Sequence, residues 1–199
     1  MENKKISVCL ATYNGEDFIK KQLVSVLSQL KNDDEVIISD DGSTDSTLDI
    51  IYSLKDDRIK VLRHKKDVKL SHKYLSSFYY VSYNFENAIK YATGDVVYLC
   101  DQDDVWVKEK ISHTLPYFEE YDLLMCNYSI IDATGRVIIS KYLKSNPIGC
   151  NLLYNLWKIP FKGCCMAITR KALEKALPFP SNCIGHDLWI GLYLMHKGY

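Results

Sequence analysis

Three carboxylates fall within four positions at Asp101-Gln102-Asp103-Asp104, and Trp106 follows close behind. They close the stretch Gly94-Asp95-Val96-Val97-Tyr98-Leu99-Cys100, whose apolar, β-rich composition reads as a buried strand. In open α/β sheets, ligands bind outside the carboxyl ends of the strands, which is where these carboxylates fall. Like charges this close repel, so the cluster is unfavourable unless a cation neutralises it. A hard divalent cation suits that role, and Mg²⁺ commonly shares its shell with substrate phosphates. The alternative is a solvated acidic turn. Two further sets invite comparison. Asp40-Asp41 ends the strand Glu35–Ser39 and runs into Gly42-Ser43-Thr44-Asp45. Either carboxylate of that pair can also serve as a turn residue that accepts backbone N–H bonds. Asp187 opens an amphipathic helix, where the positive dipole end favours an anion. There it is suited to act as a base, or simply to cap the helix at about 1 kcal/mol.

The elements that must position these groups alternate along the chain. Ile6–Thr12 reads as a first strand, with turn chemistry at Tyr13-Asn14-Gly15-Glu16. Phe18, Leu23, Val26, Leu27 and Leu30 then have helical spacing. After the second strand, Ser43 or Thr44 is expected to cap a helix that uses Leu48, Ile51 and Leu54. Ile59–Leu62 is a short third strand, residues 63 to 76 carry little pattern, and Phe85, Ala88, Ile89 and Ala92 mark the next helix. This β-α-β-α-β-α-β order implies a mostly parallel sheet with helices on both faces. The second half predicts a helix over Lys108–Phe118, strands over Leu123–Ile131 and Arg136–Ser140, and a hairpin turn at Asp132-Ala133-Thr134-Gly135. Gly163–Thr169 reads as another strand, and Arg170–Leu177 as a short helix ended by Pro178.

Composition excludes several classes. The 199 residues are 47% hydrophobic and 25% charged, enough for one domain with a substantial core. Lys+Arg and Asp+Glu both count 25, so charge points to no nucleic-acid partner. No apolar run is long enough to span a bilayer, and the N-terminus leads straight into a strand without a signal peptide. A cytoplasmic protein is expected. The seven cysteines show no Cys-x-x-Cys spacing and no pairing with His, so they read as small buried hydrophobes rather than a zinc site. Neither a Gly-x-Gly-x-x-Gly fingerprint nor a P-loop occurs.

Several stretches together resemble one family. Val8-Cys9-Leu10-Ala11-Thr12-Tyr13-Asn14-Gly15, Ser39-Asp40-Asp41-Gly42-Ser43-Thr44-Asp45, Ala92-Thr93-Gly94-Asp95 and Asp101-Gln102-Asp103-Asp104-Val105-Trp106 resemble family 2 glycosyltransferases. The Asp-Gln-Asp-Asp-Val-Trp form, Gly163-Cys164, Pro178-Phe179-Pro180 and His186-Asp187-Leu188-Trp189 are most similar to the rhamnosyltransferase-type branch of surface polysaccharide synthesis.

The resemblance implies a GT-A fold and an inverting transferase that takes a sugar from a UDP- or dTDP-sugar. The acceptor it implies is a saccharide or lipid-linked saccharide, with peripheral association at the inner face of the membrane. It places Thr12, Tyr13, Asn14, Asp41 and Asp101 around the nucleotide, with Tyr13 packing on the base and Asp41 hydrogen-bonding it. It assigns a divalent metal, Mg²⁺ or Mn²⁺, to Asp101 and Asp103, and the catalytic base to Asp187. Asp40, Gln102, Asp104 and His186 would support them. Residues 1–106 would form the nucleotide half and 107–199 the acceptor half of one domain. Relatives continue past the helix at Asp187, so the acceptor half is expected to be truncated. The loop Arg63-His64-Lys65-Lys66-Asp67 departs from the family pattern, which leaves its contacts open. A sugar-nucleotide nucleotidyltransferase is the first alternative, disfavoured because Thr12-Tyr13-Asn14-Gly15 stands where a Gly-rich, Arg-containing loop belongs. A non-catalytic carbohydrate-binding module is the second, disfavoured because the carboxylates are all present.

Overall fold

The computed structural model describes residues 4–64, 76–143, 152–158, 160–181, 183 and 185–198. Its strands are β1 (Ile6–Thr12), β2 (Glu35–Asp40), β3 (Ile59–Arg63), β4 (Val96–Asp101), β5 (Leu123–Met125), β6 (Ile130–Ile131), β7 (Val137–Ile139) and β8 (Met166–Thr169). Its helices are α1 (Ile19–Leu27), α2 (Thr47–Ser53), α3 (Ser76–Ile89), α4 (Lys110–Thr114), α5 (Leu152–Lys158), α6 (Arg170–Leu173) and α7 (His186–Lys197).

Six strands form one sheet in the order β3-β2-β1-β4-β8-β5. The first four are parallel, and β8 lies antiparallel between β4 and β5. Side chains alternate between faces along a strand. Val8 and Leu10 of β1 and Val96, Tyr98 and Cys100 of β4 pack into one core with α1 and α2. Cys9, Val97 and Leu99 pack into the other with α3, α6 and α7. Both faces are buried, so these strands read as unbroken apolar runs rather than alternating ones. The mixed α/β architecture expected from the sequence is what the chain adopts.

The register fixes the site. Thr12 pairs with Asp40, and Ala11 with Asp101. The carboxyl ends of β1, β2 and β4 therefore finish side by side at one edge.

Local boundaries differ from the sequence reading where tertiary bonds override local pattern. Ser43 and Thr44 do not cap α2. Their groups are taken by the β1–α1 loop, and the helix starts at Thr47 after Ser46. The helix expected over Lys108–Phe118 is α4 followed by a 3₁₀ turn, Leu115–Glu119, with Pro116 in its first positions. The strand expected over Leu123–Ile131 splits: β5 joins the main sheet, while β6 pairs with β7. That hairpin turns where expected, with the Asp132 carboxylate accepting the N–H groups of Thr134 and Arg136. Gly163–Cys165 is a 3₁₀ turn, and only Met166–Thr169 is strand. The expected helix Arg170–Leu177 is α6 plus a 3₁₀ turn. Among the described residues, no helix is long and apolar enough to cross a membrane.

At the opposite edge of the sheet, Glu35 ties the first strands together. Its carboxylate accepts bonds from Ser7 Oγ (2.6 Å), the Thr93 backbone N–H and hydroxyl (2.7 Å each) and Lys60 Nζ (2.7 Å). Burial alone would push its carboxyl up. The bonds from Lys60, Ser7 and Thr93 outweigh burial and hold it at about 2. A depressed carboxyl stabilises the fold above its unfolded value of about 4.3 and loses that stabilisation as pH falls. Glu35→Gln is therefore expected to cost about 1–3 kcal/mol in urea unfolding at neutral pH. The gap to the wild type should narrow as pH drops toward 2. A gap independent of pH would contradict this role.

Candidate functional site

The two loops at the carboxyl edge are zipped to each other. Asn14 N–H donates to Ser43 Oγ (2.9 Å), and Asn14 Oδ1 accepts the Thr44 N–H (2.9 Å). Gly15 N–H donates to Thr47 Oγ1, Glu16 N–H to Asp45, and Ser46 N–H to Glu16. Asn14 sits at φ 47°, a left-handed conformation that Asn tolerates. Its side chain braces a loop.

Gln102 joins this pair of loops to β4. Its Oε1 accepts from the Thr12 hydroxyl (2.7 Å) and the Tyr13 N–H (3.0 Å), and its Nε2 donates to the Tyr13 carbonyl (3.2 Å). Gly15 packs against that carboxamide so closely that a Cβ there would collide with it. Thr12 is buried, whereas the ring of Tyr13 is held out at the edge with 47% of the residue exposed. The clamp thus fixes the Tyr13 backbone at the same edge of the sheet as the carboxylates.

Asp40 and Asp41 have separate tasks. Asp40 is a buried turn residue whose carboxylate accepts the N–H groups of Gly42 and Ser43 (3.2 Å), with the Arg63 guanidinium 3.5 Å away. Asp41 is hydrogen-bonded through Oδ1 to His64 Nδ1 at 2.8 Å. The first two residues of the departing loop therefore reach both carboxylates. Lys65, Lys66 and Asp67 lie outside the described residues.

The acidic cluster stands at the end of β4. Burial, then the charges of Asp104, Asp103 and Asp187, push the Asp101 carboxyl up to about 7. Burial and Asp103 also raise Asp104, against the Cys164 thiol and Lys110, which lower it. Asp103 itself is exposed. Among the described residues, the atoms that come together at metal-ligand spacing are carboxylate oxygens of Asp101 and Asp104 and the sulfur of Cys164, all within 4.8 Å of one another. Asp103 is outside that set. Lys110, placed by α4, spreads its ammonium over the Trp106 ring (4.2 Å) and donates to the Cys164 carbonyl (3.3 Å). One lysine does not neutralise four carboxylates, since Asp101 remains strongly raised. This donor set fits a divalent cation.

Asp187 reaches the cluster from the far end of the chain. Its Oδ2 accepts the Gly163 N–H (3.2 Å) and its Oδ1 the Leu188 N–H (2.8 Å). That places it one residue from Cys164 and close enough to raise Asp101. Gly185, at φ 142°, makes the turn into α7. His186 is a packing group. It is buried, stacks on Phe85 with ring centroids 4.1 Å apart, and burial holds it down at about 4, so it is neutral at physiological pH. Its Nε2 faces Gly163, where a Cβ would not fit.

The structure thus gathers Asp101, Asp104 and Asp187, with Asp103 at the rim, and sets Thr12, Tyr13 and Asn14 beside Asp41. Asp40, Gln102 and His186 position these groups. Lys110, His64 and Cys164 were not foreseen as site residues. Lys110 sits in a helix that carried no motif, and the contacts of the other two depend on tertiary packing. A cleft of about 180 Å³ lined by Ala92, Val97 and Arg170 lies at the opposite end of β4 and is smaller than the ~300–1,000 Å³ of typical ligand pockets.

Comparison with known proteins places the chain. The family profile "Glycosyl transferase family 2" matches residues 7–177, so the chain belongs to that family. Escherichia coli WfaP, a UDP-Glc:α-D-GlcNAc-diphosphoundecaprenol β-1,3-glucosyltransferase, is 35% identical over 143 residues, covering 71% of this chain and 52% of WfaP. The dTDP-rhamnosyl transferase RfbG of Shigella flexneri is 34% identical over 109 residues, covering 53% and 35%. A mannosyltransferase from Pyrobaculum calidifontis, solved with GDP-Man and Mn²⁺, superposes with a TM-score of 0.69 at 16% identity over 98% of this chain and 53% of its own. That likeness is one of fold, and the fold is GT-A. The chain spans about half the length of WfaP.

A carboxyl raised in the folded state holds a proton that the unfolded state has lost, so metal-free stability falls as pH rises from about 4 to about 7. Asp101→Asn removes that penalty. Without metal, the variant should melt above the wild type at pH 8, and the difference should vanish below about pH 4. Equal melting temperatures at both pH values would show that Asp101 is not strained.

Proposed function

We propose that this chain is the catalytic domain of an inverting, metal-dependent glycosyltransferase. It moves a sugar from a UDP- or dTDP-sugar to a hydroxyl of a saccharide or lipid-linked saccharide in cell-surface polysaccharide synthesis. The observation that supports this most is the convergence of Asp187, from α7, on the carboxylates at the end of β4. Membership of the family supports the reaction class. The donors in the names of WfaP and RfbG support UDP or dTDP, and the lipid-linked substrate in the name of WfaP supports the acceptor. Residues 1–106 form the nucleotide half and 107–199 the acceptor half.

The exposed ring of Tyr13 packs on the base, and Asp41 accepts the ring N–H of uracil or thymine. Thr12 and Asn14 hold that corner of the pocket in shape through Gln102 and Ser43. Asp101 and Asp103 would hold a divalent cation, Mn²⁺ or Mg²⁺, with Asp104 beside them. The chemistry that the cation supplies when bound is Lewis-acid stabilisation of the leaving diphosphate. Asp187, oriented by the N–H groups of Gly163 and Leu188, takes the proton from the acceptor hydroxyl as that oxygen attacks the anomeric carbon from the face opposite the nucleotide.

The two roles open to Asp187 separate in one variant. Asn caps a helix as well as Asp, so Asp187→Asn would be nearly harmless if the residue only capped α7. As the base, its loss should leave donor binding and melting temperature unchanged and lower transfer about 10²–10⁴-fold, measured as nucleoside diphosphate released per acceptor glycosylated. Transfer within a few-fold of the wild type would overturn the assignment.

A further inference from the structure

Cys164 is a member of the carboxylate cluster to which the proposed reaction gives no task. Its sulfur, one oxygen of Asp101 and one of Asp104 lie within 4.8 Å of one another. Three donors sharing one ion through bonds of about 2.0–2.3 Å stand roughly 3–4 Å apart. The triangle is thus at most slightly wider than a coordination shell, and side-chain rotation closes the difference. The three donors come from two elements, the end of β4 and the 3₁₀ turn before β8. The packing of β8 against β4 brings them together.

A second observation points to a ligand at this position. The Asp101 carboxylate is half-buried, and among the described residues it receives no N–H bond. The Cys164 sulfur lies within 4.8 Å of one of its oxygens. A thiol is a weak donor, and the other groups facing Asp101 are the carboxylates of Asp103, Asp104 and Asp187. A half-buried carboxylate crowded by other carboxylates, beside a group that becomes a strong ligand on losing its proton, is a site that a cation completes.

We propose that Cys164 is a protein ligand of the metal site through its sulfur, and that it gives the site a preference for Co²⁺, Zn²⁺ and Cd²⁺ over Mg²⁺. This rests on the metal reading of the cluster given above. Thiolates favour softer ions, whereas Mg²⁺ keeps to oxygen ligands. On binding, the thiol proton passes to solvent and the thiolate–metal bond forms, so affinity rises with pH. Lys110, donating to the Cys164 carbonyl at 3.3 Å, holds the turn in place. Gly163, the preceding residue, donates to Asp187, so the residue that binds the ion sits beside the one that orients the base.

Cobalt gives this ligand a signature independent of turnover. The reduced protein, with UDP present, is titrated with cobalt chloride while near-ultraviolet absorption is recorded. A thiolate-to-cobalt charge-transfer band should rise and saturate at one ion per chain. Cys165, whose sulfur is 4.0 Å from that of Cys164, is the control. Cys165→Ser should keep the band. Cys164→Ser and Cys164→Ala should lose it while still binding Mn²⁺ by calorimetry, and their preference for Cd²⁺ over Mg²⁺ should fall about tenfold or more. Cobalt binding without the band in the wild type would overturn the role of the thiol and leave the metal reading standing. No binding of any of these ions would overturn both. A band that survives in Cys164→Ser and disappears in Cys165→Ser would also overturn the proposal.

Discussion

The parallel register of β1 against β2 and β4 sets where every polar group of the site stands. Thr12 lies opposite Asp40, and Ala11 opposite Asp101, so three strands end at one edge. Both faces of these strands are buried, and a slip of one residue would exchange the side chains of the two cores. The register is therefore strongly fixed. The loops that follow cannot drift either, because Gln102 and Asn14 bond across from one loop to the next. Precision at the edge comes from this bracing.

Two carboxylates show what each end of the sheet is built for. Glu35 collects donors from Ser7, Thr93 and Lys60 and is held at about 2. Asp101 is surrounded by other carboxylates and is pushed up to about 7. The first stabilises the fold. The second costs stability, and a chain retains such a group where a ligand offsets the cost. Lys110 relieves only part of the repulsion, chiefly at Asp104.

The sequence made the elements of the first half legible because their signals are local. Buried strands are continuous apolar runs, and Asp40, Asp101 and Asp187 are marked by the strand ends and the helix start that carry them. What stayed hidden depends on contacts between distant segments. Asn14 and Gln102 stand in recognisable motifs, but the partners that their side chains brace lie on other loops. Ser43 looks like a helix cap, but its hydroxyl is taken by Asn14. Cys164 reads as an apolar strand residue. The structure turns it into a 3₁₀ segment beside Asp101 and Asp104, which no spacing between neighbours in the chain could reveal.

The proposed function requires the carboxylates at the end of β4 to hold a divalent cation beside a nucleoside diphosphate. The most direct measurement is anomalous scattering at the manganese edge from crystals grown with Mn²⁺ and UDP. One peak is expected within coordination distance of Asp101 and at least one of Asp103 and Asp104, bridging to the diphosphate oxygens. UDP bound at full occupancy with no peak there, or a peak remote from these carboxylates, would contradict it.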